Sequence, residues 1–228
     1  MKNLHYIQML ILKELLFKPF SRFSDLNISG ISSDHFAYHI KSLVELKLVV
    51  KETDLYKLTP KGKEFANTMD TERLKVEKQA KVGVLVIVEK YENNERYLLI
   101  QERLKEPYFG YKGFISGKIR FGETVLEAAQ RELAEESGLE AELQHCYIIH
   151  ELVYSKKGKL LEDKFFHVIK GVNPAGKLTS FDEGTNTWVL EDEFYNLEKK
   201  FYDEDYLLKM LDEDQKEFVS RKYVVEEF

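Results

Sequence analysis

The stretch GKIRFGETVLEAAQRELAEESGL, residues 117 to 139, decides how the second part of this chain folds. Gly117 is followed after five residues by Glu123, and after seven more by Arg131, which opens the run RELAEESGL. Seven fixed residue types with two aliphatic positions recur by chance about once in 10^9 starting points at ordinary amino-acid usage. A spacing this specific indicates a local structure built for a particular chemistry.

A helix is predicted within this stretch, from Val125 to Ser137. Thr124 and Glu127 have the spacing of a capping box, in which each side chain bonds the backbone N–H of the other residue. Gly138 suits the left-handed conformation that ends many helices. The helix is expected to bury an apolar stripe made of Leu126, Ala129 and Leu133.

Three glutamates of this helix are expected to share one face. Glu132, Glu135 and Glu136 stand at positions i, i+3 and i+4, so their carboxylates repel one another. A solvated acidic face is one explanation, but it does not account for the glycines of the preceding loop, Gly117 and Gly122. A hard divalent cation would relieve the repulsion, and oxygen ligands favour Mg2+ or Mn2+ over zinc. Because Mg2+ often completes its shell with phosphate oxygens, the pattern predicts a substrate that contains a diphosphate.

The stretch resembles the Nudix box, and every defining position of that box is filled here. The resemblance implies a metal-dependent hydrolase that cleaves a phosphoanhydride bond in a nucleoside diphosphate derivative. It also implies a set of metal ligands, which are Glu132, Glu135, Glu136 and the carbonyl of Ser116. Gly117 and Lys118 are expected to bring backbone close to the cation and the phosphates. One departure from the pattern is Ser116, where many relatives have glycine.

The other catalytic roles are predicted for an ion pair and a general base. A salt bridge between Glu123 and Arg131 would hold the loop against the helix. By the resemblance, water attacks a phosphorus atom, and a general base takes the proton of that water. Glu183, beside Asp182 on a later loop, is one candidate for the base, and Glu135 within the box is another. Glu162 and Asp163 are weaker candidates, because they could simply be surface charges of a hairpin.

Aromatic residues just before the box are candidates for binding the substrate. Tyr108, Phe109 and Tyr111 could stack on a nucleobase, or they could close the hydrophobic core. The sequence supports both interpretations equally, and it leaves the identity of the substrate open.

The first part of the chain has a different pattern. Apolar residues recur at helical spacing from Leu4 to Leu15, and a second amphipathic stretch runs from Ser33 to Leu46. A short helix is expected between them, around residues 23 to 26. Residues 48 to 58 fit a small hairpin, and Pro60 suits the first turn of another helix. The predicted order is helix, helix, helix, hairpin, helix.

This order resembles the winged-helix domains of ArsR-like repressors, over about residues 4 to 70. The resemblance implies that the helix from Ser33 to Leu46 would enter a DNA major groove, with Lys51 to Lys57 as the wing. The candidate DNA contacts are His35, Tyr38, His39, Lys41 and Ser42. Dimerisation or protein docking is the alternative function, because Asp34 would repel phosphate and that helix has no arginine to read guanine.

Two histidines of that helix have a spacing that could bind a metal ion. His35 and His39 stand one turn apart and therefore share a helix face. No adjacent carboxylate or cysteine completes such a site, so packing or a polar surface is the favoured interpretation.

Composition and charge indicate a folded protein with two dissimilar parts. Of the 228 residues, 43% are hydrophobic and 32% are charged, which is typical of globular domains. The net charge is +3 over residues 1 to 75 and −9 over residues 76 to 228. We therefore predict two domains, with the boundary in the polar segment from Thr71 to Lys81, which reads as a linker or connecting helix. A net charge of +3 gives only a weak electrostatic attraction to DNA, compared with dedicated DNA-binding domains.

The sequence also predicts the cellular location of the protein. Cys146 is the single cysteine and cannot form an intramolecular disulfide, which suits a reducing compartment. No apolar run reaches the roughly 20 residues of a membrane span, and the first residues lack the pattern of a signal peptide. A cytoplasmic location without a membrane partner is expected.

The predicted fold class is α+β, with an N-terminal winged helix-turn-helix domain over residues 1 to 75. An α/β/α Nudix sandwich with closing helices between Leu197 and Phe218 is predicted over residues 76 to 228. The first functional hypothesis is a hydrolase whose winged helix assists dimerisation or regulation. The second is a transcription regulator that senses a nucleotide metabolite, and a protein-docking adaptor is a third. The intact box favours the hydrolase, because a sensor does not need every catalytic carboxylate.

The partners expected from these hypotheses differ. The hydrolase requires a small molecule of the nucleoside diphosphate type. Double-stranded DNA is a candidate partner for the first domain, and a second copy of the chain is a candidate partner for the whole protein.

Overall fold

The computed structural model describes residues 4–27, 30–76, 79–105, 107–213 and 218–225. The chain divides into two compact units, residues 1–78 and 79–228. Within the described ranges, none of the helices combines the length and the hydropathy that a membrane-spanning helix requires.

Helices and a small sheet alternate in the first unit. Its described elements are, in chain order, α1 (Tyr6–Phe17), β1 (Ser21–Arg22), α2 (Phe23–Leu26), α3 (Ser33–Glu45), β2 (Val49–Glu52), β3 (Leu55–Leu58), α4 (Pro60–Ala66), β4 (Met69–Asp70) and β5 (Lys75–Val76). Strand β3 pairs antiparallel with both β1 and β2. The main helices and the hairpin follow one another in the order expected from the sequence, and the winged-helix assignment stays a prediction.

Side-chain caps and a shared core explain where α3 and α4 begin. Ser32 Oγ accepts the backbone N–H of His35 at 3.4 Å, which starts α3. Thr59 Oγ1 accepts the N–H of Gly62 at 2.9 Å, and Pro60 occupies the first turn of α4. The apolar stripes of α1 and α3 meet in a core that includes Ile11, Leu12, Phe36 and Leu43.

The segment expected to be a linker or connecting helix contains a short hairpin. Strands β4 and β5 pair with each other across a turn. Asp70 Oδ1 accepts the backbone N–H groups of Glu72 and Arg73, both at 2.9 Å, and this bonding favours a turn over a helix. Residues 77 and 78 of the segment lie outside the described residues.

A large mixed sheet forms the centre of the second unit. Its described elements are β6 (Lys81–Glu92), β7 (Glu95–Arg103), β8 (Lys112–Gly113), β9 (Ile115–Lys118), α5 (Val125–Ser137), β10 (Leu139–Ser155), β11 (Leu160–Gly176), β12 (Gly184–Leu190), α6 (Glu191–Phe194), α7 (Glu204–Asp212) and β13 (Val219–Val225). The strand order is β12-β7-β6-β11-β10-β13, with β9 paired to β6 and β8 paired to β7. Strands β6 and β11 run parallel, as do β10 and β13.

Helices cover both faces of this sheet. Helix α5 packs through Ala128, Ala129 and Leu133 on a cluster that includes Val86 and Ile115. Helix α7 packs through Leu207 and Leu208 on the other face, against Leu85 and Phe114. The α+β class and the helix–sheet–helix layering are confirmed.

One expectation about the second unit is wrong. Leu126 is 44% exposed, because the buried stripe of α5 passes through Val125 and Ala128 instead. The segment expected to hold closing helices, Leu197 to Phe218, contains α7, and strand β13 follows it and pairs with β10. Because β13 finds its partner about seventy residues earlier in the chain, helical periodicity could not reveal that pairing. Residues 214–217 of the segment lie outside the described residues.

Candidate active site

The box residues form a strand, a loop and a capped helix. Ser116 and Gly117 lie on β9, which pairs with β6 beside the start of α5. Thr124 Oγ1 accepts the N–H of Glu127, and the Glu127 carboxylate accepts the N–H of Thr124 at 2.8 Å. Gly138 ends the helix with φ +72°. Local signals in the sequence are therefore sufficient to place α5.

Arg131 is the centre of the charged network on α5. Its Nε lies 2.5 Å from Glu123 Oε1, as the predicted salt bridge requires. Its Nη1 bonds Glu132 at 2.7 Å and Glu135 at 3.2 Å, and its Nη2 donates to the carbonyl of Lys118 at 3.0 Å. The guanidinium group therefore joins the loop, the end of β9 and the helix.

Glu123 closes the loop from the other side. Its carboxylate accepts two bonds from Arg131 and the backbone N–H of Arg120 at 2.8 Å. The Arg131 bonds, followed by the Arg120 N–H, lower the pKa of Glu123 from 4.5 to about 2. The folded chain thus favours the charged form of this carboxyl.

The pH dependence of stability should report this ion pair. Glu123 contributes stability that is fully present above its ordinary pKa of 4.5 and is lost as the pH falls through about 2. We expect the Glu123→Gln variant to unfold at lower urea concentration than the parent at neutral pH. The gap between the two midpoints should shrink steadily between pH 5 and pH 2, as measured by urea titration. A gap that does not vary with pH would contradict this role.

The Glu132 carboxylate lies directly on the backbone of Gly117 in strand β9. A Cβ atom added at Gly117 would overlap the Glu132 carboxyl carbon and both of its oxygens. The side chain of Glu132 is only 12% exposed. A side chain at position 117 would therefore require the Glu132 carboxylate to move.

Glu136 is half-buried near the end of α5 and is held from two sides. Gln101 Nε2 donates to its Oε2 at 3.1 Å, and Asn186 Nδ2 donates to its backbone carbonyl. Burial raises the pKa of Glu136 to about 7, and the charges of Glu132 and Glu183 add to this effect. The charged form of Glu136 is therefore disfavoured, and the nearby positive charge of Arg103 offsets this only in part.

Glu183 lies near this carboxylate cluster but on a different loop. Its carboxylate is exposed and pairs with Lys105 Nζ at 2.7 Å, and its carbonyl accepts the N–H of Leu104. The next residue, Gly184, leaves no room for a side chain, because an added Cβ would crowd Gln101. The Glu183 loop is thus packed against the residue that bonds Glu136.

A family model described as the NUDIX domain matches residues 77–220, which is more than half of the chain. The chain belongs to the Nudix family. The match includes the whole box and the sheet around it. It confirms, at the level of the family, that this chain is a Nudix hydrolase.

Two solved structures share the Nudix fold of this chain. The NUDIX domain of Shewanella oneidensis NrtR, in complex with ADP-ribose, aligns with a TM-score of 0.54 at 15% identity and covers 68% of this chain and 98% of that chain. The MutT protein of Bacillus halodurans aligns with a TM-score of 0.53 at 21% identity and covers 63% of this chain and 90% of that chain. At these identities the likeness shows the fold alone.

The aromatic residues before the Nudix box differ in exposure. Tyr108 is buried, and its ring centre lies 5.5 Å from that of Phe201. Tyr111 is half-buried and lies at the same distance from Phe201. Phe109 is 56% exposed. Tyr108 therefore helps to close the core, whereas Phe109 is free to meet solvent.

Three residues near the Nudix carboxylates were missed by sequence reasoning. Arg120 Nη2 bonds Glu135 at 3.1 Å, and its place inside the box loop could have suggested this contact. Gln101 and Asn186 face each other on the paired strands β7 and β12. No local signal marks them, because strand register brings them to Glu136.

The five candidate DNA contacts on α3 fall into two groups. His35, Tyr38 and Lys41 are exposed. His39 is 4% exposed and stacks on the ring of His5, while Ser42 Oγ accepts from Gln8 Nε2 at 3.0 Å. His39 and Ser42 thus face α1, because the α3 stripe that packs on α1 includes them.

The two histidines of α3 contact each other, although His39 is buried and His35 is exposed. Their Nε2 atoms lie 3.2 Å apart. Burial, followed by the charges of His5 and His35, lowers the pKa of His39, so the neutral ring is favoured. His39 thus contributes to packing, and His35 lies on the polar surface.

Proposed function

We propose that this Nudix protein is a Mg2+- or Mn2+-dependent hydrolase that cleaves a phosphoanhydride bond of a nucleoside diphosphate derivative. The observation that carries the proposal is the position of Glu132. Its carboxylate lies against the backbone of Gly117, and Glu135 and Glu136 follow on the same helix. The Glu132 carboxylate is thereby held beside strand β9, which also carries Ser116.

The chemistry of these donors supports a hard divalent cation. Within the described ranges, no group of three or more His, Cys, Asp or Glu side chains is arranged to hold a metal ion. Burial nevertheless disfavours the charged form of Glu136, with only partial relief from Arg103, and a bound cation would offset this cost. All the donors are oxygens, which suits Mg2+ or Mn2+. We assign Glu132, Glu135, Glu136 and the Ser116 carbonyl to hold the cation.

The remaining residues of the site would position and activate water. A bound divalent cation would supply charge neutralisation for the phosphate oxygens and a more acidic water. Glu183 is the proposed general base, because its exposed carboxylate is close enough to raise the pKa of Glu136. Arg131 and Glu123 would hold the loop against α5. Gly117 and Lys118 would present backbone to the phosphates.

Replacing the proposed base should affect turnover more than binding. Glu183→Gln is expected to lower kcat by about 10^2-fold with little change in KM, because a positioned base contributes at least that much. The neighbouring exposed acid supplies a matched control, Asp182→Asn, which should retain the parental kcat. Full turnover in Glu183→Gln would contradict the assignment of Glu183 as the base.

A turnover screen tests the proposed reaction. The full chain would be incubated with Mg2+ and ADP-ribose, other nucleoside diphosphate sugars, dinucleotides, oxidised nucleotides and nucleoside triphosphates, and the phosphate-containing products would be measured. ADP-ribose is included because the Shewanella NrtR domain was crystallised with it. We expect turnover of at least one diphosphate derivative that stops on chelation of the metal. Absence of turnover across every class would contradict the proposal.

A second candidate function is regulation through the first unit. The observation that favours it is the exposed row of His35, Tyr38 and Lys41 on α3, next to a three-stranded sheet with a hairpin. A winged helix that binds double-stranded DNA, as a monomer or as a homodimer, would use such a face. Electrophoretic shift of duplex DNA at low salt, weakened by Lys41→Ala, would support it. No shift at low salt would remove it.

A further inference from the structure

Helix α5 covers only part of its face of the large sheet. The apolar cluster beneath the helix ends at Leu143 on β10, at Ile169 on β11 and at Val84 on β6. Past these residues, β10 continues to pair with β11 as far as Tyr154 and with β13 as far as Ser155. The sheet therefore extends beyond the helix.

The two faces of this extension differ in burial. Ile149 and Val153 of β10 are at most 1% exposed. Ile148, His150 and Leu152 lie on the opposite face, because side chains alternate along a strand, and all three are partly exposed. We call this second surface the open face. It consists of residues 148, 150, 152 and 154 of β10 and their register partners on β11 and β13, which share the same side of the sheet.

Large apolar side chains are exposed on the open face and at its border. Val224, which pairs with Tyr154, is 67% exposed, and Phe218 is 59% exposed. The ring of Phe218 stacks on that of Phe165, with the ring centres 6.3 Å apart. A contiguous apolar surface of this kind on a folded domain indicates an interaction site.

Hydrogen bonds and stacking hold the centre of the open face. The ring of His150 lies parallel to that of Phe165, with the ring centres 4.0 Å apart. Asp163 Oδ1 lies 3.0 Å from His150 Nε2, and Ser220 Oγ lies 3.0 Å from His150 Nδ1. Side chains that are fixed in this way lose little conformational freedom when they are covered. The open face is therefore preorganised for a contact.

The charges of the open face are arranged for a second copy of the chain. Leu152 pairs with Asp163 of β11 on one side and with Lys222 of β13 on the other. Lys222 is exposed and has no ion pair among the residues that the structure describes. A two-fold axis parallel to β10 would place β11 of one copy over β13 of the other. Asp163 of each copy would then lie opposite Lys222 of the other, and Leu152 would pack on its own equivalent.

We propose that the open face binds the open face of a second copy, which forms a two-fold dimer with two sheets packed face to face. Aligned sheets cross at about 30°, so this register is kept near the axis, where the row of Leu152 lies. Four strands about 4.8 Å apart, over about seven residues of about 3.3 Å each, present roughly 450 Å² on each copy. A total of about 900 Å² is typical of weak complexes, so we expect a dissociation constant in the micromolar range.

Sedimentation equilibrium of the full chain tests the dimer, over protein concentrations from about 1 μM to about 500 μM. Because the first unit could also associate with itself, charge reversals on the open face decide which surface is used. Asp163→Lys and Lys222→Glu should each weaken the dimer by at least about tenfold, since each turns two attractive pairs into two repulsive ones. The combined variant restores opposite charges and should bind within about threefold of the parent.

Lys177→Glu is the matched control for Lys222→Glu, because Lys177 is exposed outside the open face and the change in net charge is the same. This variant should keep the parental dissociation constant, and circular dichroism should show every variant folded. A chain that stays monomeric over the whole concentration range would overturn the proposal. A dimer that ignores both reversals, a combined variant as weak as the single ones, or equal weakening by Lys177→Glu would overturn it too.

This inference goes beyond the proposed function and can fail separately from it. None of the open-face residues is assigned to the cation or to the base. Metal-dependent turnover in a monomeric chain would support the reaction and overturn the dimer. Rescue of the dimer by the combined variant, in a chain that hydrolyses none of the screened compounds, would support the dimer and count against the reaction.

Discussion

The Glu136→Gln variant is expected to lose about three orders of magnitude in kcat/KM while it remains folded. Burial raises the pKa of Glu136, so its charge is costly in the free protein, and the nearby charge of Arg103 offsets only part of that cost. Neutralising it removes one anionic ligand from the cation that the proposed function requires, and charge stabilisation by a metal accounts for several kcal/mol of transition-state stabilisation. The substituted amide can still accept the hydrogen bond from Gln101, so the local packing should survive.

Metal-dependent turnover of the best substrate from the screen measures this effect. Thermal unfolding should give a midpoint close to that of the parent without added metal, whereas the rise in midpoint on adding Mn2+ should be reduced. Glu140→Gln is a matched control, because Glu140 is exposed just beyond the end of α5. A variant with the parental rate would remove Glu136 from the site.

The second large effect is expected for Gly117→Ala. The added methyl group would overlap the Glu132 carboxylate, so either that side chain or the loop must move. We expect activity to fall by about 10^2-fold or more, since small displacements of a catalytic group are costly. We also expect about 1–3 kcal/mol of lost stability, which is typical of overpacking.

A double variant separates the two consequences of Gly117→Ala. Adding Glu132→Ala removes the overlapping carboxylate, so most of the lost stability should return in urea unfolding. Activity should not return, because the proposed ligand is then absent. Full activity in Gly117→Ala alone would mean that Glu132 does not act from the position next to this glycine.

The local part of the site could be predicted from the sequence. The helix over Val125 to Ser137 begins and ends where its capping box and Gly138 indicated. The Glu123–Arg131 ion pair was also predicted, because it joins residues eight positions apart on a loop and its helix. These features depend on neighbours within a few turns of chain, where propensity and spacing are reliable guides.

Other expectations failed where a distant element competes. Helical periodicity alone assigned Leu126 to the core, but the sheet packs against Val125 and Ala128. His39 and Ser42 were assigned to a DNA-facing surface, although both face α1. In each case the residue type suits either a buried or an exposed face of its helix. Which face the residue occupies depends on the element that the helix packs against.

The sequence by itself determined the chemistry of this protein, namely three glutamates on one helix turn, a glycine before them and an arginine that orders the loop. Only the tertiary structure decided which groups surround that chemistry. Gln101 and Asn186 reach Glu136 through the register of β7 and β12, and the packing of α7 on the sheet buries Leu207 and Leu208. Spacing along a helix is fixed by local geometry, whereas strand register and helix packing depend on the burial of the whole core.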